Sequence, residues 1–474
     1  MARVVRLPAI SYLVAVSGLL SLCCGQQDVP HNSTVIVPER KSYAVFHNVL
    51  LQEEGILFYL PDELADGPVD ALHQPPNLRN LLSAQWWSLP GHWKVEIVSR
   101  HNSSQFHQKC NAWIEQPALL FAGMPVDHKN PYHFFCDNMM RVFATLADQG
   151  LLDVAASTAR DHEPNSTEAN LVILQTHVES WTSKFHELFD HMTPNQWSFP
   201  HGAGFCYRTL VVGADNDVQT YNLAPNIWSQ AWRTHHQRQF SRWAIAKQLM
   251  IDDARGRTIE RPPASNGRLQ IRLVSRPSSA WSSRAITNEQ ELVAAIRAKY
   301  GNIADVQTIS FNGSLSTAML AMNSTDVLIG MHGAGLTNIL WMRPGGAVVQ
   351  LIPYGWHRRH EDFPYLAVLF EQLSHNANVS HFLWENNRTE HSFLGKRHHE
   401  GEVRRYGKEE EDMHDWQEHP EQGWVAANRQ YRPNTNEMYA HWMYQDTHVD
   451  VTTFMPVLDQ AVAAVRPTGP ARGR

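Results

Sequence analysis

Cysteine is scarce in this chain. There are 5 residues, and two of them, Cys23 and Cys24, stand together near the amino terminus. Beyond that pair only Cys110, Cys136 and Cys206 remain, enough for one disulfide and one thiol left over. A basic excess is also missing. The formal net charge is −7, so the chain lacks the cationic footprint of a nucleic-acid binder, and nucleic acid is not expected as a partner. Long apolar runs are limited to Leu7–Cys24, and no other stretch could span a bilayer. No G-x-S-x-G nucleophile elbow occurs, which leaves out that class of hydrolase.

What is present describes a folded, multidomain protein. Hydrophobic residues make up 43% and charged residues 18% of 474 residues, enough to bury real cores and long enough for two or three domains. Arg3 and Arg6 precede Leu7–Cys24, a pattern that reads as a signal peptide or signal anchor over residues 1–24. The run is short for a spanning helix and contains Pro8 and Gly18, so cleavage and anchoring both stay open. A membrane contact through this segment is expected only if it is not cleaved. Seven N-x-Ser/Thr sequons follow. Asn32, Asn102, Asn165, Asn378 and Asn387 are candidate glycosylation sites, while Asn312 and Asn323 fall inside the expected core. Cys110 is expected to pair with Cys206 because Cys136 sits in a helical motif; the other reading leaves all three reduced.

Apolar periodicity divides the chain. Residues 25–40 read as a polar stem. Residues 41–235 hold strands at 118–124, 171–177 and 207–214 with helical patterns between them, which suggests βαβ units and a parallel sheet. Residues 236–268 read as a linking helix and a hinge. Residues 269–384 alternate five strands with helices, a doubly wound α/β domain. Residues 385–430 are almost wholly polar and read as a flexible insertion without the paired spacing of a zinc site. A helical segment, 431–465, and a tail, 466–474, complete the chain.

The stretch DVLIGMHGAGLTN, from Asp326 to Asn338, carries the chemistry. It places His332 at the carboxyl end of a strand, where doubly wound sheets bind ligands. Gly333 and Gly335, with Ala334 between them, allow a tight turn and a close backbone approach, and a helix is expected at once, its free N–H groups facing an anion. The spacing is neither G-x-G-x-x-G nor a Walker loop. His332 could donate to a phosphate oxygen and, when protonated, add charge. Ser275 and Arg276 end the first strand of the same domain, and a guanidinium grips phosphate with two parallel bonds. These residues together read as a cradle for a nucleotide diphosphate.

In the first domain Asn130, His133 and Asp137 form N-x-x-H-x-x-x-D at a helix start. His133 and Asp137, four apart, would share one helical face. The carboxylate could orient the imidazole, and either could take a proton from a hydroxyl or hold the acceptor. Asn130 reads as an acceptor-side or structural residue. Asp215 and Asp217 form a D-x-D, a weak candidate for metal; none is expected to be required, and Mn²⁺ is the alternative.

Six motifs in order are similar to those of glycosyltransferase family 61: CNAWIEQPALL from Cys110, N-x-x-H-x-x-x-D at 130–137, FCYRTLVVG at 205–213, LVSR at 273–276, MHGAGLTN at 331–338 and YQDTHVD at 444–450. The resemblance implies an α/β protein of two Rossmann-like domains facing each other across a cleft, the GT-B type. It implies transfer of a sugar, xylose or N-acetylglucosamine foremost, from a UDP-sugar to a hydroxyl on a glycan or glycoprotein, with inversion. The implied location is the endoplasmic reticulum or Golgi lumen, as a type II membrane protein or a signal-cleaved lumenal one. The competing expectation is a lumenal glycan- or nucleotide-binding protein of the same fold that has lost its chemistry.

Overall fold

A computed structural model of the chain describes residues 34–36, 38, 43–52, 55–60, 94–99, 110–122, 130–152, 170–174, 204–214, 227–257, 267–276, 284–311, 313–354, 365–394 and 445–465. Residues 1–24, Asn32, Asn102, Asn165, Asp215, Asp217 and all of 395–444 therefore lie outside the described residues, as does the side chain of Asp137. Among the described residues no helix is long and apolar enough to cross a membrane.

Among the described residues the first sheet has eight strands: β1 (Thr34–Ile36), β2 (Tyr43–Gln52), β3 (Gly55–Leu60), β4 (Lys94–Ser99), β5 (Cys110–Ile114), β6 (Ala118–Ala122), β7 (Asn170–Leu174) and β8 (Gly204–Gly213). Its order is β4-β3-β2-β8-β6-β7, with β1 added to β2 and β5 to β8. The three expected strands, β6, β7 and β8, are parallel neighbours. The expectation of an all-parallel sheet needs correction, because β2 runs antiparallel to both β3 and β8. The polar pair His47-Asn48 interrupts β2 and hides its apolar pattern. His47 lies opposite Thr209 in the register, its Nδ1 3.2 Å from Oγ1 of Thr209. The expected stem is corrected as well, since β1 falls within it and pairs with β2.

The second sheet matches its sequence pattern. Its strands are β9 (Leu269–Val274), β10 (Ala304–Ile309), β11 (Val327–Met331), β12 (Ala347–Ile352) and β13 (Ser380–Glu385), all parallel, in the order β10-β9-β11-β12-β13. Every residue of β11 and β12 is buried, as expected of strands covered on both faces. The order is second-first-third-fourth-fifth along the chain, the doubly wound arrangement whose switch point lies between β9 and β11. A small ladder of β14 (Ser392–Leu394) and β15 (Gln445–Thr447) stands apart. The expected flexible insertion is thus ordered at its start, through residue 394.

Helices fill both faces. A π-helix (His133–Met139) runs into α1 (Met140–Asp148), and α2 spans Ile227–Ala254. In the second half come α3 (Glu289–Tyr300), α4 (Leu315–Asn323), a 3₁₀ helix (Ala334–Trp341), α5 (Tyr365–Ala377) and α6 (Val451–Val465). One face of the second sheet, with Ile271, Leu273, Val349 and Leu351, packs on α3 and α6. The other face, with Val274, Leu328 and Val348, belongs to a core that continues into the first sheet at Tyr43, Leu119 and Val211. Aromatic rings bridge the two: Phe135 of the π-helix meets Trp341 of the 3₁₀ helix edge-on at 5.1 Å, and Phe240 of α2 lies 6.1 Å from the same indole. Helix α2 is therefore a core element with Phe240, Trp243 and Ala244 buried, where a linking helix from residue 236 was expected. The two halves share one apolar core.

Candidate functional site

The carboxyl ends of β9 and β11 hold the residues singled out in the sequence. Ser275 and Arg276 follow β9, with Ser275 N–H donating to Ile309 O at 2.9 Å. His332 follows β11, with its N–H donating to Leu351 O at 2.8 Å. The next residue, Gly333, has φ +148°, a conformation that side chains rarely adopt. A Cβ placed there would stand 2.6 Å from Nη1 of Arg284 and 2.8 Å from Nη1 of Arg276. Two guanidinium groups thus lie over one bare backbone turn at the switch point. That is the arrangement a diphosphate needs: fixed cations around a backbone that can be approached closely.

Arg284 was not among the sequence candidates. It lies in a serine-rich stretch with no periodic signal, and its place is set from far along the chain. Its Nη1 donates to His332 O at 3.0 Å. The segment that carries it is clamped by residues around β15. Asp446 accepts from Ala285 N–H at 2.8 Å, and Thr447 exchanges backbone bonds with Ala285 and Thr287. Asn288 accepts from Val449 N–H at 2.8 Å and donates to Val449 O at 2.9 Å. The YQDTHVD motif therefore has a physical task, which is to hold the Arg284 segment against the β11 turn.

His332 differs from its expected role in one respect. The ring is buried, at 3% exposure. Burial first, then the positive charge of Arg284 and Arg276, holds its pKa well below the ordinary histidine range. An imidazolium is thus disfavoured here, and the ring acts as a neutral group. Its Nδ1 accepts from Nε2 of Gln350 at 2.8 Å, and Phe370 of α5 packs edgewise on it at 5.0 Å. The helix expected from Ala334 begins there but is wound as a 3₁₀ helix, and the residues Leu336 to Trp341 are all buried. Gly335 fits closely under Val274, where a Cβ would sit 3.2 Å from Cγ1.

The motif of the first domain reaches the same neighbourhood. Tyr132 packs edge-on against Phe370 at 5.6 Å, and His133 packs on Tyr132 at 5.8 Å. Three ring contacts thus link His133 to His332. Asn130 caps the helix start: its Oδ1 accepts from Tyr132 N–H at 3.0 Å and its carbonyl from Phe134 N–H. The residues from His133 onward are wound as a π-helix, with the side chain of Asn138 donating to His133 O at 3.1 Å, so the four-residue spacing does not carry its α-helical meaning. Short π segments are frequent at functional sites. Cys136 is a buried free thiol within this turn.

Elsewhere, Cys110 and Cys206 are disulfide-bonded, with Cα atoms 5.7 Å apart, and tie β5 to β8. Asn378 and Asn387 are exposed, Asn378 in a turn with φ +57°. Among the described residues no group of three or more His, Cys, Asp or Glu could hold a metal ion.

Comparison with known proteins adds an independent line. A beta-1,2-xylosyltransferase of Oryza sativa subsp. japonica is 24% identical over 267 residues, 55% of this chain and 50% of its own length. An EGF domain-specific O-linked N-acetylglucosamine transferase of Drosophila melanogaster is 37% identical over 251 residues, 51% of this chain and 42% of its own. A protein O-linked-mannose beta-1,4-N-acetylglucosaminyltransferase of Tetraodon nigroviridis is 24% identical over 193 residues, 39% and 30% respectively. The chain spans about half the length, or less, of the curated relatives it matches. The family model for glycosyltransferase 61 matches residues 131–349, a stretch that contains the π-helix, both arginines and the His332 turn, and it bears out the resemblance read from the sequence motifs.

Proposed function

We propose that the chain is an inverting glycosyltransferase that moves a sugar from a UDP-sugar to a hydroxyl of a glycan or glycoprotein. The observation that carries this reading is the pair of guanidinium groups, Arg276 and Arg284, over the Gly333 turn at the sheet's switch point. Xylose and N-acetylglucosamine are the sugars named for the relatives. A lumenal location in the endoplasmic reticulum or Golgi is supported by the amino-terminal apolar run and by the Cys110–Cys206 bond, which suits an oxidising compartment. The two sheets would act as the two halves of a GT-B arrangement, with the donor held by the second.

The chemistry is a single displacement. The acceptor oxygen attacks the anomeric carbon from the side opposite the diphosphate. The bond from that carbon to the diphosphate oxygen breaks, and His133 or Asp137 takes the acceptor proton. Negative charge then grows on the departing UDP, where cations already in place stabilise it without rearrangement. Arg276 and Arg284 supply charge, and His332 supplies a neutral ring beneath them. Turnover is expected to need no added metal. Complete loss of rate in EDTA, restored by Mn²⁺, would bring in Asp215 and Asp217.

The test is to incubate the purified chain with a panel of UDP-sugars and acceptor glycans and to measure released UDP, alongside UDP binding by calorimetry. Arg276→Ala removes a charge-assisted contact worth about 1.5–3 kcal/mol, so UDP affinity should fall roughly 10-fold or more. Unchanged affinity would sink the donor-site assignment. Binding without any turnover would favour the non-catalytic reading.

A further inference from the structure

One side chain in the second sheet is out of character with its strand. β12 reads Ala-Val-Val-Gln-Leu-Ile, and Gln350 is fully buried between apolar neighbours. A buried amide left without partners costs about 1–3 kcal/mol. Gln350 has partners on both ends. Its Nε2 donates to Nδ1 of His332 at 2.8 Å, and its Oε1 lies 2.7 Å from Nε2 of His381 on the edge strand β13. An amide nitrogen only donates and an amide oxygen only accepts. Nδ1 of His332 is therefore bare, and Nε2 of His381 carries a proton. The neutral His332 ring then has its single proton on Nε2.

We infer that Gln350 and His381 are positioning residues, and that the His381–Gln350–His332 chain fixes His332 as an Nε2–H donor toward the diphosphate. The inference rests on the donor site proposed above. Among the described residues, the groups that face His332 include Arg276 and Arg284 over the adjoining turn, Gln350 from β12 and the Phe370 ring from α5. The titratable residues of the described part of α5, Glu371 and His375, are exposed and face solvent. Burial also draws His381 down to about 4, so this ring too is neutral and enters the chain as a donor, not a charge. The direction of the hydrogen bonds, set from the sheet edge inward, thereby decides which nitrogen His332 presents.

Calorimetric UDP binding between about pH 6 and pH 8 tests this, read as the ratio of variant to wild-type affinity so that the ligand's own phosphate titration cancels. In Gln350→Glu the new carboxylate can only accept, so it takes the Nδ1 proton of His332. Nε2 is then bare unless the ring gains a second proton. The ratio should fall roughly 10-fold near pH 8 and recover toward pH 6. His381→Phe removes the donor to Oε1 and lets the amide turn, and should cost about 3-fold at every pH; His381→Gln keeps an N–H donor and should restore the affinity. These variants sit on the edge strand and keep the test open if Gln350→Glu does not fold. A flat ratio for Gln350→Glu, or wild-type affinity in His381→Phe, overturns the inference. If instead the wild type does not bind UDP, or His332→Ala binds as the wild type does, the donor-site reading itself fails.

Discussion

In the second sheet all five strands run one way, each connection is local, and the two tips proposed to face the donor, after β9 and β11, are neighbours by topology. In the first sheet β2 runs against β3 and β8, and β8 pairs with partners up to 170 residues away in sequence, as Tyr43 opposite Gly213. The two also build their functional residues differently. Arg276, Arg284 and His332 are held by backbone turns and buried bonds. His133 stands on a π-helix whose wider winding sets its direction. The contrast teaches that the half proposed to hold the anion is preorganised by strand topology, whereas the half proposed to meet the acceptor depends on a local departure from regular helix.

The shared aromatic core is the place to break that contrast most severely. Trp341 is 1% exposed and touches Phe135 and Phe240 from the first half. Trp341→Ala should cost about 3–5 kcal/mol and lower a single unfolding transition seen by fluorescence and circular dichroism alike. Two separate transitions, only one of them shifted, would show that the halves fold independently.

Gly333→Ala acts on the second sheet alone. The strained φ costs about 1–3 kcal/mol, and the added methyl displaces both guanidinium groups. UDP binding should be lost with only a modest drop in melting temperature. Retained binding would place the anion site elsewhere.

A subtler probe acts at a distance from the ligand. Asp446→Ala strips the acceptor from the buried N–H of Ala285, and the loosened Arg284 segment should weaken UDP binding several-fold, a loss of about 1 kcal/mol, while Asp446→Asn keeps an acceptor oxygen and should recover most of it. Equal effects of the two substitutions would mean that charge, and not the hydrogen bond, is what matters.

The smallest effect concerns pH. His332 and His381 have folded pKa values below their unfolded value, so the unfolded chain binds more protons as acid is added. Their contribution is full stability above about pH 6.5, falling as pH drops toward the folded value, about 4 for His381. Melting temperature should decline across that window, and His381→Phe should flatten the decline. An identical slope in the variant would remove His381 from the account.

The second sheet was legible because each of its strands is a short apolar run between helical patterns, and because strand order places β9 beside β11. His332, Arg276 and the glycines followed from position at strand ends. β2 was not legible, since His47 and Asn48 break its run and their compensation, Thr209, lies on another strand. Arg284 and Asp446 were missed for the same kind of reason: each has meaning only through a partner brought close by folding. Gln350 did leave a trace, a single amide in a strand otherwise apolar.

Local periodicity and residues close in the chain were enough to give the alternation of buried strands and helices, the strand-end placement of the imidazole and the first arginine, and the family motifs. Folding was needed to bring a second arginine beside the first, to bury His332 and hold it neutral, and to set an amide of the next strand against its ring. Those properties arise from desolvation and from hydrogen bonds between distant segments, and neither exists until the chain has folded.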